Sequence, residues 1–199
     1  MSLALSPASR TTSRLVLRPF KRRDADQLAL AIQASLPDLV KWLPWAHRNY
    51  DKGDAIGYIR ESMVAWKEGK AFDFSIRRPD DLRRHLGNIS IWPSTRGGAV
   101  GEIGYWVRSD EVGKGVCTQA AIRVLETGFE ELRFHKITLR IAVGNIASER
   151  VAAKIGATQE GLLRDELRIG GEWTDHTLWS ILENEYRAML PEYRDKGWV

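Results

Sequence analysis

The sequence is poor in the residues and patterns that build disulfides, metal sites and membrane spans. It contains a single cysteine, which excludes an internal disulfide bond and is typical of a reducing compartment. The histidines at positions 47, 85, 135 and 176 lie too far apart to show zinc-site spacing, so we expect no metal. A run of about 18 apolar residues, which a transmembrane helix needs, is also missing. These absences favour a cytoplasmic protein that does not enter a membrane.

Targeting and nucleic-acid patterns are missing as well. Residues 1–7 carry no basic leader and are too short for a signal peptide. The net charge is +4, but no aromatic RNA-binding motif or helix-turn-helix pattern accompanies it, so we expect no direct nucleic-acid binding. Small basic clusters at 21–23, 77–78 and 83–84 fit a solvated surface, or an electropositive rim that attracts an anionic ligand.

The length and patterning predict one mixed α/β domain. A chain of 199 residues suffices for one well-filled core and is short for two. Residues 1–12 are rich in serine and threonine and are predicted to form a flexible tail, followed by a single domain over 13–199. Alternating strands, interspersed helices and one β-α-β unit over 100–142 favour a mixed sheet. A helix over 54–67 is predicted to bury Ile56, Ile59, Met63 and Trp66.

The most informative segment is the glycine-containing stretch 112–118. It follows the strand-like run 101–107 and precedes apolar residues at helical spacing, so a strand, a turn and a helix stand in that order. Glycine lets the backbone approach a ligand closely. The first turn of a helix offers unpaired N–H groups and the positive end of the helix dipole. Together these features predict a phosphate site.

Three kinds of phosphate loop compete for this stretch. A Walker loop needs glycine at 108, and Ser or Thr after the lysine, but Arg108 and Gly115 stand there. A dinucleotide fingerprint needs glycine where Thr118 stands, together with a repeating β-α-β pattern. The pyrophosphate loop of coenzyme A remains, and a tight strand-to-helix turn without a ligand is the alternative.

Downstream residues decide in favour of coenzyme A. Asn145 and Ser148 open a second helical segment, which closes at Gly156 before Glu160 and Gly161. With the run 102–106 and the glycine stretch, this ordered set resembles the GNAT acetyltransferases, and within them the group that acetylates the N-termini of ribosomal proteins. The resemblance covers roughly residues 12–185. It implies the GNAT fold, a central, mostly antiparallel twisted sheet with helices on both faces, and acetyl-CoA as cosubstrate.

The resemblance also implies where the coenzyme binds. The implied cofactor residues are Trp106, Val107, Val112, Gly113, Lys114, Gly115, Val116, Cys117, Thr118, Asn145 and Ser148. Backbone N–H groups near Trp106 and Val107 are the expected oxyanion donors. Val112 departs from the family pattern, which often has Gln or Arg there, and Cys117 stands where Gly or Ala is common. Cys117 is either a reactive thiol at a helix N-terminus or a small residue at a position where a larger side chain would prevent the cofactor from binding.

Two residues are predicted to carry the chemistry. Glu102 is the expected general base, acting through water on the acceptor ammonium, and the alternative is a surface glutamate in an alternating strand. Many GNAT enzymes place a tyrosine as the thiolate's acid where Ala152 stands here. The ribosomal-protein group carries a serine instead, matching Ser148. Asn145 and Ser148 could equally serve as helix caps.

Aromatic residues suggest an acceptor wall. Trp42, Trp45 and Tyr105 are predicted to contact the acceptor, although core packing explains such residues equally well. The expected acceptor is a protein N-terminal α-amine. Acetylation of a small-molecule amine and a non-catalytic acyl-CoA-binding module remain as alternatives, and a homodimer is left open.

Overall fold

The chain folds around one large sheet. The computed structural model describes residues 3–95, 97 and 99–199. In this part of the chain the strands are β1 (Arg10–Thr11), β2 (Val16–Pro19), β3 (Phe72–Arg77), β4 (Gly87–Pro93), β5 (Val100–Val107), β6 (Lys136–Ala142), β7 (Thr158–Ile169) and β8 (Glu172–Leu182). The helices are α1 (Ala25–Gln33), α2 (Leu36–Leu39), α3 (Lys52–Glu68), α4 (Val116–Glu126), α5 (Ile146–Lys154) and α6 (Glu183–Asp195).

The sheet is antiparallel except at its centre. The strand order is β1-β2-β3-β4-β5-β6-β8-β7, and only β5 and β6 pair in parallel. These two strands are joined through α4, which confirms the predicted β-α-β unit and the mostly antiparallel sheet. Their register begins at Val100 and Lys136 and reaches Glu102 and Thr138. Beyond that pair the described register stops, so β5 and β6 splay apart.

Helices cover both faces of the sheet, as the fold class predicts. On one face, Ile103 joins Phe74, Ile89 and Ile137 in a core that includes the buried side of α4. On the opposite face, α1 and α3 form a second cluster that contains Trp106. β3 is buried along its whole length because both its faces are covered. Its alternate residues Asp73, Ser75 and Arg77 therefore place polar groups inside the protein.

Helix α3 buries a different stripe from the predicted one. Ala55, Ile59 and Ser62 are its buried residues, whereas Ile56 and Met63 are 51% and 43% exposed. The prediction is confirmed for Ile59, and Trp66 packs against the core, but small side chains face the sheet where Ile56 and Met63 were expected. In the described part of the chain, no helix is long and apolar enough to cross a membrane.

The N-terminal segment differs from the predicted flexible tail. Residues 10–11 pair with β2 as the first strand, and Leu5 is buried. Arg10 is 4% exposed and forms an ion pair with Glu131, with Nη2 and Oε2 2.7 Å apart. A buried arginine with a carboxylate partner anchors this segment, which composition alone could not reveal. Residues 1 and 2 of the predicted tail lie outside the described residues.

Candidate active site

The predicted pyrophosphate loop has an unusual backbone at its glycines. Gly113 and Gly115 have φ values of +80° and +79°, a region that favours glycine. A Cβ atom built on either residue would meet nothing within 4 Å, so this side of the loop is open. Gly115 is the N-cap of α4. The loop thus presents bare backbone at the positive end of a helix.

The side chains of the loop divide between core and solvent. Val116 and Thr118 are buried, while Val112 and Lys114 are exposed. Val116 therefore contributes packing through its side chain and can offer a ligand only its backbone N–H. The first turn of α4 supplies N–H groups without intrahelical partners, so anion binding here does not depend on which side chain stands at 112.

A buried glutamate ties the loop to the basic clusters. Glu111, 4% exposed, lies 2.8 Å from Arg78, 3.1 Å from Arg84 and 3.6 Å from Lys114. These ion pairs place the basic clusters next to the glycine loop, and Glu111 neutralises part of their charge. The electropositive rim stays a prediction. Arg77, from the same basic run, instead lies buried.

The second predicted helix start lies against β5. The side chain of Asn145 accepts a hydrogen bond from the Ser148 N–H at 3.2 Å, so Asn145 does cap α5. The Tyr105 hydroxyl donates to the Ser148 carbonyl at 3.3 Å. The Ser148 side chain also lies at hydrogen-bonding distance from Tyr105, a contact that opposes the burial that raises the pKa of Tyr105. Asn145 rather than the Ser148 hydroxyl caps α5, so the cap does not occupy Ser148 Oγ.

Cys117 does not have the character of a reactive thiol. Burial raises the pKa of its thiol to about 12. The thiol is therefore protonated at neutral pH despite its place at a helix N-terminus. This favours the interpretation of Cys117 as a small residue beside the predicted cofactor.

The splay between β5 and β6 exposes alternate amides of β5. The Arg108 amide donates to the Leu86 carbonyl on the β4 side at 2.8 Å. Because backbone groups of successive strand residues point to opposite sides, the Tyr105 and Val107 amides point towards the splay. The Trp106 amide points towards β4. For Trp106 the direction of the amide thus differs from the expected oxyanion role, while for Val107 the role stays a prediction. The Tyr105 amide has the same direction as that of Val107.

A cavity of about 680 Å³ opens between the sheet and α3. Of the predicted acceptor residues, Trp45 and Tyr105 line it and Trp42 does not. The Trp45 ring lies 6.2 Å from that of Trp106 and 6.0 Å from that of Tyr50. An aromatic group thus lies at this cavity around Trp45, and its role as a wall for the acceptor stays a prediction.

Glu102 lies beside this cavity, not in it. Arg140 donates to both of its carboxylate oxygens, at 2.8 and 3.0 Å, and Arg140 also contacts Glu166 at 2.6 Å. Glu102 lines a neighbouring groove that shares only the Trp92 side chain with the cavity. The predicted general base is thus engaged in an ion pair, and it could reach an acceptor amine only through water.

The cavity is acidic, a property that the sequence did not reveal. Asp54, Glu61 and Asp73 line it, and neither lysine nor arginine does so in the described chain. Burial and the charges of Asp54 and Asp51 raise the pKa of Tyr50 to about 12. A carboxylate among the buried residues of β3 was the one available indication, since Asp73 interrupts a run of strand-forming residues.

A buried chain of hydrogen bonds leads to the cavity floor. Arg77 Nε donates to Ser75 Oγ at 2.7 Å, and Ser75 Oγ lies 3.1 Å from His85 Nδ1. His85 Nε2 lies 2.7 Å from Asn88 Oδ1. Asn88 Nδ2 in turn donates to the Tyr58 hydroxyl at 3.2 Å. Because Asn88 Oδ1 only accepts, His85 carries a proton on Nε2, and Nδ1 can then accept from the Ser75 hydroxyl.

We expect His85 to make the free energy of unfolding fall as the pH is lowered. Burial, with the charge of Arg77 second, lowers its pKa from 6.5 to about 3. Below pH 6.5 the unfolded chain takes up a proton that the folded chain cannot, so stability is full above that pH and declines down to about pH 3. By pH 5 the loss is about 2 kcal/mol. Urea unfolding at pH 7.5 and 5 measures it.

Two variants control the pH experiment. His85→Gln is expected to be less stable at pH 7.5 but to lose much less between the two pH values. His135→Gln removes an exposed histidine and should keep the wild-type loss. An equal loss in His85→Gln and wild type would contradict this assignment.

Among the described residues no group of His, Cys, Asp and Glu could hold a metal ion.

Comparisons with known proteins agree with this geometry. The family model described as Acetyltransferase (GNAT) domain matches residues 14–158. The ribosomal protein uS5-alanine N-acetyltransferase of Escherichia coli (strain K12) is 29% identical over 176 residues, covering 86% of this chain and 89% of the relative.

Solved structures show the same fold. Mycobacterium smegmatis RimJ in complex with CoA-disulfide matches with a TM-score of 0.82 and 25% identity, covering 95% of this chain and 96% of that one. The microcin C7 self-immunity acetyltransferase MccE, in complex with acetyl-CoA and AMP, matches with a TM-score of 0.79 and 22% identity, covering 85% and 93%.

Proposed function

Because the chain belongs to the GNAT acetyltransferase family, we propose that it acetylates the N-terminal α-amine of a protein, with a ribosomal protein as acceptor. Acetyl-CoA is the cosubstrate and supplies the thioester-bound acetyl group. The observation that carries the proposal is the acidic, aromatic cavity beside the β5–β6 splay. A relative with 29% identity that is named for acting on a ribosomal protein supports the same acceptor class.

The chemistry of an α-amine suits the groups present. An amine must lose a proton before it attacks the thioester. The pKa of an α-amine is about 7.7–8.0, against about 10.4 for lysine, so part of the α-amine is already free base at neutral pH. Strong base assistance is then unnecessary, which fits a glutamate that is held by Arg140.

Each step of the transfer has a proposed residue. The backbone of 113–118 holds the pyrophosphate, and the amides of Tyr105 and Val107 donate to the oxygen that becomes negative during attack. Glu102 accepts the amine's proton through water. Ser148 donates a hydrogen bond from Oγ to the departing thiolate. Precise placement of the two reactants contributes much of the rate in such a transfer.

Matched peptides test the acceptor. One peptide has a free N-terminus and blocked lysines, and the other has the reverse. Acetylation is expected at the α-amine of the first, located by mass spectrometry, with release of coenzyme A thiol. Modification confined to lysine or to small polyamines would overturn the α-amine acceptor, and binding of acetyl-CoA with no transfer to any amine would favour the non-catalytic module. The homodimer remains a prediction.

A further inference from the structure

Asp73 is a buried carboxylate without a cationic partner. Its residue is 8% exposed, and no ion pair or side-chain hydrogen bond in the described chain includes it. It lines the acidic cavity, where its charge adds to burial in raising the pKa of Tyr58. A buried charge that lacks a partner is costly, so such a group persists where a ligand supplies the partner.

The position of Asp73 in the sheet fixes its distance from the proposed site of acetyl transfer at the β5–β6 splay. Asp73 pairs with Ser90 on β4, and Ser90 pairs with Gly104 on β5. Neighbouring strands lie about 4.8 Å apart, so Asp73 stands about 10 Å from β5, where the splay begins. That distance is too long for Asp73 to hold the reacting amine itself.

The surface between Asp73 and β5 is formed by Ser90, Gly104 and the Trp92 indole. Gly104 has no side chain, and the indole packs against it: a Cβ atom there would lie 3.0 Å from that ring. Ser90 is small. An extended chain could therefore run from the splay along the Trp92 indole and past Ser90, with Tyr58 at the far end.

We propose that the Asp73 end of the cavity is a subsite for a second positive charge on the acceptor. The inference rests on the proposed function and narrows its substrate class. The acceptor is then a peptide whose second or third residue is lysine or arginine. An extended peptide advances about 3.3–3.6 Å per residue, so a basic side chain at these positions spans the distance to Asp73.

The surroundings of Asp73 suit a cation. Glu61 and Asp54 line the same cavity and add negative charge. Aromatic faces at Tyr58 and Trp45 can contact an ammonium or guanidinium group favourably. An acidic or neutral residue at the same position of the acceptor would leave Asp73 unpaired. The cavity therefore favours acceptors whose second or third residue is positively charged, in addition to binding their N-terminus.

The experiment compares two peptides that differ in one charge. Each has a free N-terminal alanine, and the third residue is either arginine or its neutral isostere citrulline. The wild-type enzyme is expected to show a kcat/KM about 10- to 100-fold higher for the arginine peptide, mostly through KM, as for a charge-assisted contact. Asp73→Asn should bring the ratio of the two kcat/KM values close to one.

Stability provides a second readout and a control for folding. Asp73→Asn keeps the side-chain shape and removes an unpaired buried charge, so it should be at least as stable as wild type in urea unfolding. Asp26→Asn, an exposed carboxylate of α1 outside the cavity, should keep the wild-type preference.

The outcomes separate the two levels of the proposal. Equal rates for both peptides, or a preference retained in Asp73→Asn, would overturn the subsite and leave α-amine acetylation standing. Failure with every peptide, together with acetylation of spermidine, would overturn the proposed function and the peptide subsite with it. A preference for the arginine peptide that is lost in Asp73→Asn but kept in wild type and Asp26→Asn supports both the subsite and the proposed function.

Discussion

Replacement of Gly115 by aspartate is expected to weaken acetyl-CoA binding strongly in a protein that still folds. Gly115 has φ +79°, and the direction of its missing side chain is open space. Aspartate is among the few residues that tolerate this conformation. Its carboxylate would meet the pyrophosphate proposed to lie there, and like charges in contact cost several kcal/mol. Calorimetry should show affinity falling by about 10²- to 10³-fold.

Gly115→Asn is the matched control. Asparagine has the same size as aspartate and tolerates the same backbone, but it is neutral. Binding should fall far less than in the aspartate variant, and circular dichroism should show both variants folded. Unchanged acetyl-CoA binding by folded Gly115→Asp would refute the assignment of this loop to the pyrophosphate.

Ser148→Ala is expected to lower turnover by about 10²-fold with little change in cofactor affinity. Asn145 rather than Ser148 Oγ caps α5, so the loss of the hydroxyl leaves the helix start intact. The effect then falls on the thiolate, which would leave without a hydrogen bond. Steady-state kinetics with a saturating peptide, together with calorimetry for coenzyme A, separates turnover from binding.

Ser148→Thr keeps a hydroxyl at the same backbone position and should retain most of the activity. Glu102→Gln tests the opposite side of the transfer, and its rate should fall most at low pH, where the acceptor is protonated. Near-full activity in both Ser148→Ala and Glu102→Gln would mean that the transfer rests on positioning alone.

Local patterns predicted the parts of the molecule that are local in sequence. The strand, glycine turn and helix around Gly113 and Gly115 follow from backbone requirements within a few residues. The β-α-β unit was predictable for the same reason, because it needs only the order and length of its elements. The cap at Asn145 likewise involves a bond to a residue three positions away.

Long-range pairings were not predictable. Glu102 was expected to face an acceptor, but its partner Arg140 comes from another strand, 38 residues away. Asp73 is interpreted through helix α3, which covers β3 and turns Asp54 and Glu61 but no cation towards the cavity. Trp42 and Trp45 look alike in the sequence, yet only Trp45 lines the cavity. Which aromatic faces a ligand depends on how the loop after α2 packs.

The long outer strand β7 has a consequence for the protein at high concentration. One edge of the sheet is the two-residue strand β1, and the other is β7, which has 12 residues and lies mostly exposed. A regular edge of that length could recruit strands from other molecules and begin aggregation. β7 instead has register shifts near Gly161 and after Leu163, and carries charges at Arg164, Asp165 and Glu166. Its irregular, charged backbone is a poor template for a ninth strand, which protects the folded protein against edge-to-edge association.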